Sequence, residues 1–180
     1  MNIFPTAIPD VKVIEPTIFS DTRGYFYESF NLNKFQDHVQ SDINFVQDNH
    51  SLSSYGTLRG MHYQVDPFAQ GKLVRVVQGE VFDVAVDIRP DAPTFGKWVG
   101  ELISSGNKKQ LWIPPGFAHG FLVLSESAEF LYKTTNFYSP SHEQCIRWDD
   151  PDLDIKWPTV EKLIISNKDQ NGKLFKTIKK

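Results

Sequence analysis

Residues 80–88 read Glu80-Val81-Phe82-Asp83-Val84-Ala85-Val86-Asp87-Ile88, a short apolar run interrupted by aspartates that favours a β-strand. Side chains along a strand point alternately to opposite faces. One face therefore carries Phe82, Val84, Val86 and Ile88, and the other carries Asp83, Ala85 and Asp87. We expect the apolar face to pack on a second sheet, and the polar face either to line a lumen that holds a ligand or to meet water. For Asp87 we expect water.

Similar strand-like segments fill most of the chain, with Gly, Pro, Asn and Asp between them. We predict further strands over residues 11–18, 24–30, 44–51, 57–64, 72–78, 97–103, 110–113, 120–124 and 129–137. Helical patterns are scarce, with two turns over residues 31–39 and one or two turns in the tail from Thr159 onward. Many short strands predict an all-β sandwich or barrel, and 180 residues suit a single domain, 1–180.

Charge, cysteine content and the chain start indicate the partners and the compartment. The net charge of -3 gives no reason to expect nucleic acid or an acidic membrane. Cys145 is the single cysteine, which rules out an internal disulfide and favours a reducing compartment. The first ten residues lack the basic and apolar regions of a leader, and the longest uncharged run, 110–125, is broken by Pro and Gly. We expect a cytoplasmic protein.

Two isolated histidines are the first candidates for chemistry. His62 lies in Thr57-Leu58-Arg59-Gly60-Met61-His62-Tyr63-Gln64, and His119 lies in Trp112-Ile113-Pro114-Pro115-Gly116-Phe117-Ala118-His119-Gly120-Phe121. Neither has a second histidine two to four residues away, so the usual short-range spacing of metal ligands is missing. A lone strand histidine is most often structural, but an imidazole also moves protons near neutral pH. We therefore predict proton transfer and no metal site.

Charged neighbours strengthen the functional interpretation of His62. Arg59, Lys72, Asp83 and His119 fall on neighbouring predicted strands, and burying such groups is costly unless they pair or serve a ligand. Arg59 and His62 have opposite strand parity. Both can face one pocket only if the strand bulges at Gly60.

Several other residues allow two interpretations. Ser166-Asn167-Lys168-Asp169 fits a helix capping box with Ser166 as N-cap, whereas Asp169 as a functional carboxylate would fix a histidine tautomer. Tyr132 is either a core aromatic or a general acid. Gln47 and Asn49 share strand parity and suit either a ligand or a turn. Tyr138 either stacks on a base or covers one end of the fold.

Several segments, in this order along the chain, resemble the dTDP-4-dehydrorhamnose 3,5-epimerase family of metal-free cupin deoxysugar epimerases. The resemblance covers residues 3–174. Two positions depart from the family pattern: Asp149, where an asparagine is more usual, and Leu111, where an aromatic is more usual. Besides the two histidine segments, the matching pieces are Phe19-Ser20-Asp21-Thr22-Arg23-Gly24-Tyr25-Phe26, Gly71-Lys72-Leu73-Val74-Arg75-Val76-Val77-Gln78-Gly79 and Ile146-Arg147-Trp148-Asp149-Asp150-Pro151.

The resemblance implies a cupin-type jelly-roll barrel with a few short peripheral helices and a homodimer formed through exchanged N-terminal strands. It implies that dTDP-4-dehydro-6-deoxy-D-glucose is converted to dTDP-4-dehydro-L-rhamnose. Both C3 and C5 flank the C4 ketone, so loss of either proton gives an enolate and no cofactor is required.

The resemblance also implies roles for individual residues. His62 would be the base, Asp169 its partner and Tyr132 the acid, while Lys72 aids catalysis and surrounds the sugar together with His119. Asp83 would support His119, and Tyr138 would stack on thymine. The remaining residues implied to bind the nucleotide sugar are Arg23, Glu28, Gln47, Asp48, Asn49, Arg59, Glu143 and Lys168. Of these, Arg23 and Glu28 are expected to serve the pocket of a partner subunit.

Three alternative functions compete with this interpretation. A mono-epimerase or a ketoisomerase acting on a related dTDP-4-ketosugar would keep nearly all of them. A non-catalytic nucleotide-sugar-binding cupin would keep the arginines and aromatics but would not need Tyr132. A metal-dependent cupin oxygenase is disfavoured by the missing histidine pair.

Overall fold

The computed structural model describes residues 1–178, so the last two residues of the predicted domain, 1–180, lie outside the described part. Strands dominate this part of the chain, which confirms the all-β prediction. In chain order the strands are β1 (Asn2–Pro5), β2 (Lys12–Glu15), β3 (Phe19–Asp21), β4 (Gly24–Phe26), β5 (Gln47–Ser54), β6 (Thr57–Gln64), β7 (Lys72–Gln78), β8 (Glu80–Asp87), β9 (Trp98–Ser104), β10 (Gln110–Ile113), β11 (Phe117–Val123), β12 (Ser127–Thr134), β13 (Glu143–Cys145) and β14 (Ile164–Ile165).

All strands except the β3–β4 hairpin belong to two sheets. The first has the order β1-β2-β10-β7-β12-β5, and the second has the order β13-β6-β11-β8-β9. Pairing is antiparallel throughout, except that β14 runs parallel to β6. Within residues 1–178 the two sheets are separate hydrogen-bonded units, so the predicted barrel is a two-sheet jelly roll rather than a closed ring.

An apolar core joins the two sheets. Phe130 of β12 stacks on Phe121 of β11 with ring centroids 4.2 Å apart, and Phe130 is fully buried. Val76 of β7 and Ala85 of β8 belong to the same cluster. Removing one such aromatic side chain costs about 3–5 kcal/mol. This packing fixes the distance between the sheets, and with it the width of any pocket between them.

The apolar face of β8 points away from this core. It belongs to a second cluster whose members include Phe82, Val84, Val86, Ile88, Ile146, Leu153 and Trp157. The Phe82 ring stands edge-on to Trp157, 6.1 Å away. The expectation that this face meets a second sheet is wrong, because segments that follow β13 cover it. The first sheet, which contains β7 and β12, instead meets the face of β8 that carries Val81 and Ala85.

The expectation that Asp87 faces water is also wrong. Asp87 is fully buried, and Arg89 Nη2 lies 2.6 Å from its Oδ2. Thr94 Oγ1 donates to the same oxygen. Burial raises the pKa of the Asp87 carboxyl, but the hydrogen bonds from Arg89 and Thr94 outweigh burial and hold it below its ordinary value. Asp87 is the last residue of β8, and the chain that follows folds back over its carboxylate.

The short helices lie where the sequence predicts them. Helix α1 (Leu32–His38) starts at Asn31, whose side chain accepts from Lys34 N–H, and buries Phe35 against Trp112 with ring centroids 5.1 Å apart. In the tail, α2 (Asn167–Gln170) is followed by a 3₁₀ turn (Phe175–Thr177). Ser166 is confirmed as the N-cap, because its Oγ accepts from Asp169 N–H at 3.1 Å, whereas the carboxylate of Asp169 is bonded elsewhere.

Candidate active site

A cavity of about 350 Å³ opens between the two sheets. Its walls come from β5, β7 and β12 on one side and from β6, β11 and β13 on the other. This volume lies in the range of small-ligand pockets. The predicted site residues that line it are Asn49, Arg59, His62, Lys72, His119, Tyr132, Tyr138 and Glu143.

A β-bulge at Gly60 brings Arg59 and His62 to the same wall, as the parity argument requires. His62 pairs with His119 and Arg59 pairs with Phe121, so three steps along β6 match two steps along β11. Gly60 has φ +132, and a Cβ there would lie 2.5 Å from the Cα of Gly120. Glycine is therefore required at this position, because both the backbone angle and the close strand approach exclude a side chain. The predicted bulge is confirmed.

His62 and Asp169 form a hydrogen-bonded pair at one wall of the cavity. His62 Nε2 lies 2.6 Å from Asp169 Oδ1, and Gly60 N–H donates to Asp169 Oδ2 at 3.1 Å. Burial raises the pKa of the Asp169 carboxyl, but the hydrogen bonds from His62 and Gly60 outweigh it, and the pKa falls below its ordinary value. The carboxylate therefore stays ionised at neutral pH and accepts a hydrogen bond from Nε2–H of His62. This leaves Nδ1 of His62 as the basic nitrogen.

The C-terminal segment delivers Asp169 to this position. Strand β14 pairs in parallel with β6 through Ile164↔Thr57 and Ile165↔Leu58. Ser166 then caps α2, which places the carboxylate of Asp169 beside His62. The two interpretations of Asp169 hold together, because its backbone N–H serves the cap while its carboxylate serves the histidine.

A second histidine–aspartate pair lies deeper in the fold. His119 Nε2 lies 2.9 Å from Asp83 Oδ2, and both side chains are buried. Burial lowers the pKa of His119 and raises the pKa of Asp83, and each shift is opposed by the charge of the other residue. His119 is therefore neutral near pH 7, and it presents an uncharged imidazole to the cavity.

Lys72 is a buried cation beside these pairs. It begins β7, and its Nζ donates to the backbone oxygen of His62 at 3.3 Å. Burial lowers the Lys72 pKa to about 8, opposed by the charges of Asp83 and Glu143. Lys72 is therefore mostly ammonium at pH 7, but it loses its proton far more easily than an exposed lysine does.

Tyr132 approaches the cavity from the opposite sheet. It lies on β12, where it pairs with Val74 and Asn49, and its ring packs at the edge of the inter-sheet core. Burial raises the pKa of the Tyr132 hydroxyl, and the charge of Glu143 adds to the effect. The phenol is therefore protonated at neutral pH and can donate a proton.

Tyr138, Glu143 and Lys168 form a small network at the cavity mouth. The Tyr138 hydroxyl donates to Glu143 Oε2 at 2.8 Å, and Lys168 Nζ pairs with the same oxygen. Burial raises the pKa of Glu143, but the hydrogen bonds from Lys168 and Tyr138 outweigh it and lower the pKa. The Tyr138 ring is half exposed, so its face is open to a flat partner.

The three predicted residues of β5 point to two different faces of the strand. Asn49 faces the cavity, and its Oδ1 accepts from Gln47 Nε2 at 2.9 Å. Gln47 stands behind it and accepts the backbone N–H of Tyr138 at 3.0 Å. Asp48 points to the other face and pairs with Lys133 at 2.9 Å.

Arg23 and Glu28 lie away from this cavity. Arg23 sits in the β3–β4 hairpin, pairs with Asp21 and is 88% exposed. Glu28 pairs with Lys34 at 2.8 Å and lines a different surface cleft. Within one chain the structure does not bring these two residues to the other predicted site residues.

The comparison with known proteins agrees with this geometry. Residues 5–177 match the model of the family described as dTDP-4-dehydrorhamnose 3,5-epimerase. The chain belongs to this epimerase family. It is therefore an enzyme, and the resemblance seen in the sequence is confirmed.

Relatives of this epimerase-family chain match it over nearly its full length. A dTDP-4-dehydrorhamnose 3,5-epimerase from Shigella flexneri is 59% identical over 175 residues, 97% of this chain and 96% of the relative. A dTDP-6-deoxy-D-glucose-3,5-epimerase from Legionella pneumophila, solved in complex with dTDP-4-keto-L-rhamnose, is 52% identical. It has a TM-score of 0.96, with 99% of this chain and 94% of that chain covered. This likeness confirms the cupin-type jelly roll.

A more distant structure shares the fold but is named for a different epimerisation. A 3'-monoepimerase from Streptomyces bikiniensis, solved in complex with dTDP-quinovose, is 33% identical with a TM-score of 0.90. The alignment covers 96% of this chain and 87% of that chain. The fold of this epimerase family therefore accommodates epimerisation at one carbon as well as at two.

Sequence reasoning missed several residues of the epimerase-family cavity. Gln64 and Gln70 line it, as do Ser51, Phe121 and Phe130. The parity of Gln47 and Asn49 extends to Ser51, which is a signal that the sequence offers. Gln64 has the same strand parity as His62, so the sequence offers a signal for its position. Its contacts with the loop between β12 and β13 could not be predicted, because this loop is distant in the sequence.

His62, Cys145 and Asp169 are residues of the types that bind metal ions. Each offers one potential ligand atom, and these atoms lie within 4.8 Å of one another. Burial raises the pKa of the Cys145 thiol to about 12, and the charge of Asp169 adds to the effect. The His62–Asp169 distance is that of a hydrogen bond. The set fits an acid–base pair better than a metal site.

In the described residues, 1–178, none of the helices is both long and apolar enough to span a bilayer.

Proposed function

We propose that this chain inverts C3 and C5 of dTDP-4-dehydro-6-deoxy-D-glucose to give dTDP-4-dehydro-L-rhamnose, as a step of dTDP-L-rhamnose biosynthesis, with residues 1–180 acting as one domain. One observation carries the proposal. A histidine paired with an ionised aspartate and a protonated tyrosine line the same cavity from two different sheets. Inversion needs a base and an acid on opposite faces of the sugar, and His62 and Tyr132 supply that arrangement.

His62 removes the protons. Its Nε2 is held by Asp169, so Nδ1 takes a proton from C3 or C5. The electron pair of the broken C–H bond forms the enolate, with its charge on the C4 oxygen. Asp169 stabilises the imidazolium that results, as the aspartate of a catalytic triad does. The proton thus moves from carbon to nitrogen without a change of oxidation state.

Lys72 and His119 stabilise the enolate. Lys72 brings an ammonium group into a largely buried pocket, where a charge acts more strongly than in water. His119 is held in orientation by Asp83. Both groups are in place before the sugar binds, so little reorganisation is needed as the oxyanion develops.

Tyr132 returns a proton to the opposite face of the carbon. Its phenol donates to the enolate carbon, and the phenolate then takes a proton from water while the imidazolium gives its proton to water. Each complete epimerisation therefore leaves the proton count of the enzyme and of the sugar unchanged. A second round at the other carbon completes the double inversion.

The remaining residues of the pocket bind the nucleotide. Arg59 offers a guanidinium for the diphosphate and is oriented by Ser53 Oγ, 3.0 Å from its Nε. Tyr138 offers a half-exposed ring for thymine. Gln47, Asp48, Asn49, Glu143 and Lys168 complete the set, as the family resemblance implies.

Arg23 and Glu28 reach a second subunit, and the protein works as a homodimer. Arg23 is exposed on the β3–β4 hairpin, where Phe19, Tyr25 and Phe26 are 64%, 59% and 71% exposed. Exposed aromatics so close together favour burial against a partner. A hairpin inserted into a neighbouring pocket would carry the Arg23 cation to the nucleotide there.

A cytoplasmic location fits the same proposal. Cys145 is a free, buried thiol, which suits a reducing compartment.

The stereochemistry of the product tests the proposal. The chain is incubated with dTDP-4-dehydro-6-deoxy-D-glucose, the ketone is reduced with borohydride, and the released sugars are identified by NMR. We expect L-rhamnose and its C4 epimer, which require inversion at both C3 and C5. Other 6-deoxy-L-hexoses would indicate inversion at C5 alone. Inversion at C3 alone would identify a mono-epimerase, and unchanged sugar would identify a binding protein.

A further inference from the structure

The loop between β12 and β13 carries Tyr138 at the mouth of the cavity. Its aromatic side chains Phe137 and Tyr138 are 60% and 51% exposed, so side-chain packing contributes little to holding this loop. Other contacts must fix the loop backbone if Tyr138 is to be held in its binding position before the ligand arrives.

Gln64 supplies a large share of those contacts. Its side chain is only 7% exposed, and its Oε1 accepts the backbone N–H of Ser139 at 2.8 Å. Its Nε2 donates to the backbone oxygens of Phe137 at 3.2 Å and Phe68 at 2.6 Å. One buried amide therefore joins the Tyr138 loop to the loop after β6, and both its oxygen and its nitrogen are satisfied.

A second glutamine holds the neighbouring amide. Gln47 Oε1 accepts the N–H of Tyr138 at 3.0 Å, so consecutive backbone amides are bound by glutamines from β5 and β6. These two strands belong to different sheets. The Tyr138 backbone is thus fixed relative to both walls of the pocket.

We infer that Gln64 is a positioning residue that holds Tyr138 ready for the nucleotide base and thereby raises the affinity of the pocket for dTDP-sugars. The inference rests on the proposed function, since it takes Tyr138 as the platform for thymine. Gln64 acts through the loop and not on the reacting carbons. Loss of its amide donors frees the loop, which must then be ordered when the nucleotide binds.

Two variants of Gln64 test this inference. Gln64→Glu keeps an acceptor for Ser139 but sets a carboxylate against two carbonyl oxygens, and Gln64→Met removes all polar contacts at similar length. We expect calorimetry to show that the Kd for dTDP rises about tenfold in both variants. The kcat for the dTDP-sugar should stay within about twofold, because the His62–Asp169 pair is untouched. Gln144→Met is the control, since Gln144 bonds Lys173 and has no part in this loop.

A double-mutant cycle with Tyr138→Ala separates positioning from direct contact. If Gln64 acts through Tyr138, Gln64→Met should weaken dTDP binding about twofold or less in the Tyr138→Ala background. Fully additive effects would overturn the inference, as would an unchanged Kd in the single variants, or a fall in kcat with an unchanged Kd. A wild-type protein that binds dTDP but does not epimerise would contradict the proposed function. The double-mutant cycle would still test the role of Gln64, because it measures only the Kd for dTDP.

Discussion

His62 and His119 are register partners across the β6–β11 pair, and the Nε2 of each ring bonds a different buried carboxylate. The two carboxyl groups differ in their environment. Hydrogen bonds lower the pKa of Asp169, whereas burial raises the pKa of Asp83. Neighbouring groups whose pKa values are pushed in opposite directions suit different tasks in acid–base chemistry. This difference supports His62 as the base and His119 as the group that contacts the sugar oxygens.

Replacing Asp169 with asparagine tests the importance of the pair. The Asp169→Asn amide cannot stabilise an imidazolium, and its nitrogen can force the wrong His62 tautomer. We expect kcat to fall about 10²- to 10⁴-fold while KM changes little. Steady-state kinetics measure both values, and circular dichroism checks the fold. A loss of less than about threefold would exclude a catalytic contribution from Asp169.

Tyr132→Phe separates proton removal from proton return. The variant keeps His62 and the enolate-stabilising groups, so it should still exchange substrate protons with solvent. We expect slower turnover and a product mixture in which inversion is incomplete, because the donor on the opposite face is missing. NMR of the reduced sugars gives the mixture. Normal rates with normal stereochemistry would remove Tyr132 from the mechanism.

The buried lysine predicts a basic limit to activity. Burial lowers the pKa of Lys72 to about 8, so the ammonium is present below that pH and is lost above it. We expect kcat/KM to decline above a pH of about 8. In Lys72→Met the residual activity should no longer show this decline. An identical basic limb in the variant would assign the titration to another group.

Mixing two inactive variants tests the shared pocket. In the proposed homodimer, we expect Arg23→Ala and His62→Ala each to inactivate both pockets. A mixed dimer has one pocket that combines intact Arg23 from one chain with intact His62 from the other. Co-refolding should restore up to about a quarter of wild-type activity, because about half the dimers are mixed and each has one intact site. Absence of any recovery would place Arg23 in its own chain's pocket or outside the site.

Much of the fold follows from local pattern. The predicted strands 57–64, 72–78 and 110–113 coincide with β6, β7 and β10, and the helix predicted over residues 31–39 is α1 with Asn31 and Val39 as its caps. The strands β1, β3, β13 and β14 are not among the predicted strands. They have two to four residues, too few to display a period, and they exist because a neighbouring strand offers a free edge.

The site follows only partly from local pattern. The bulge at Gly60 could be predicted, because Arg59 and His62 have opposite strand parity and can face one pocket only if the strand bulges between them. The partnership of His62 with Asp169 could not be predicted from spacing, since 107 residues separate them and the parallel pairing of β14 with β6 brings them together. The family resemblance supplied it. Asp87 was misjudged because Arg89, beyond the end of its strand, covers it.

Solvent exchange at carbon tests the central claim most directly. The substrate is incubated with enzyme in heavy water, and NMR follows deuterium at C3 and C5 of the ketosugar, with His62→Ala as the matched variant. We expect label at both carbons with wild-type enzyme and at neither with His62→Ala. Label at both carbons in the variant would show that another group removes the protons, and label at a single wild-type carbon would contradict the double epimerisation.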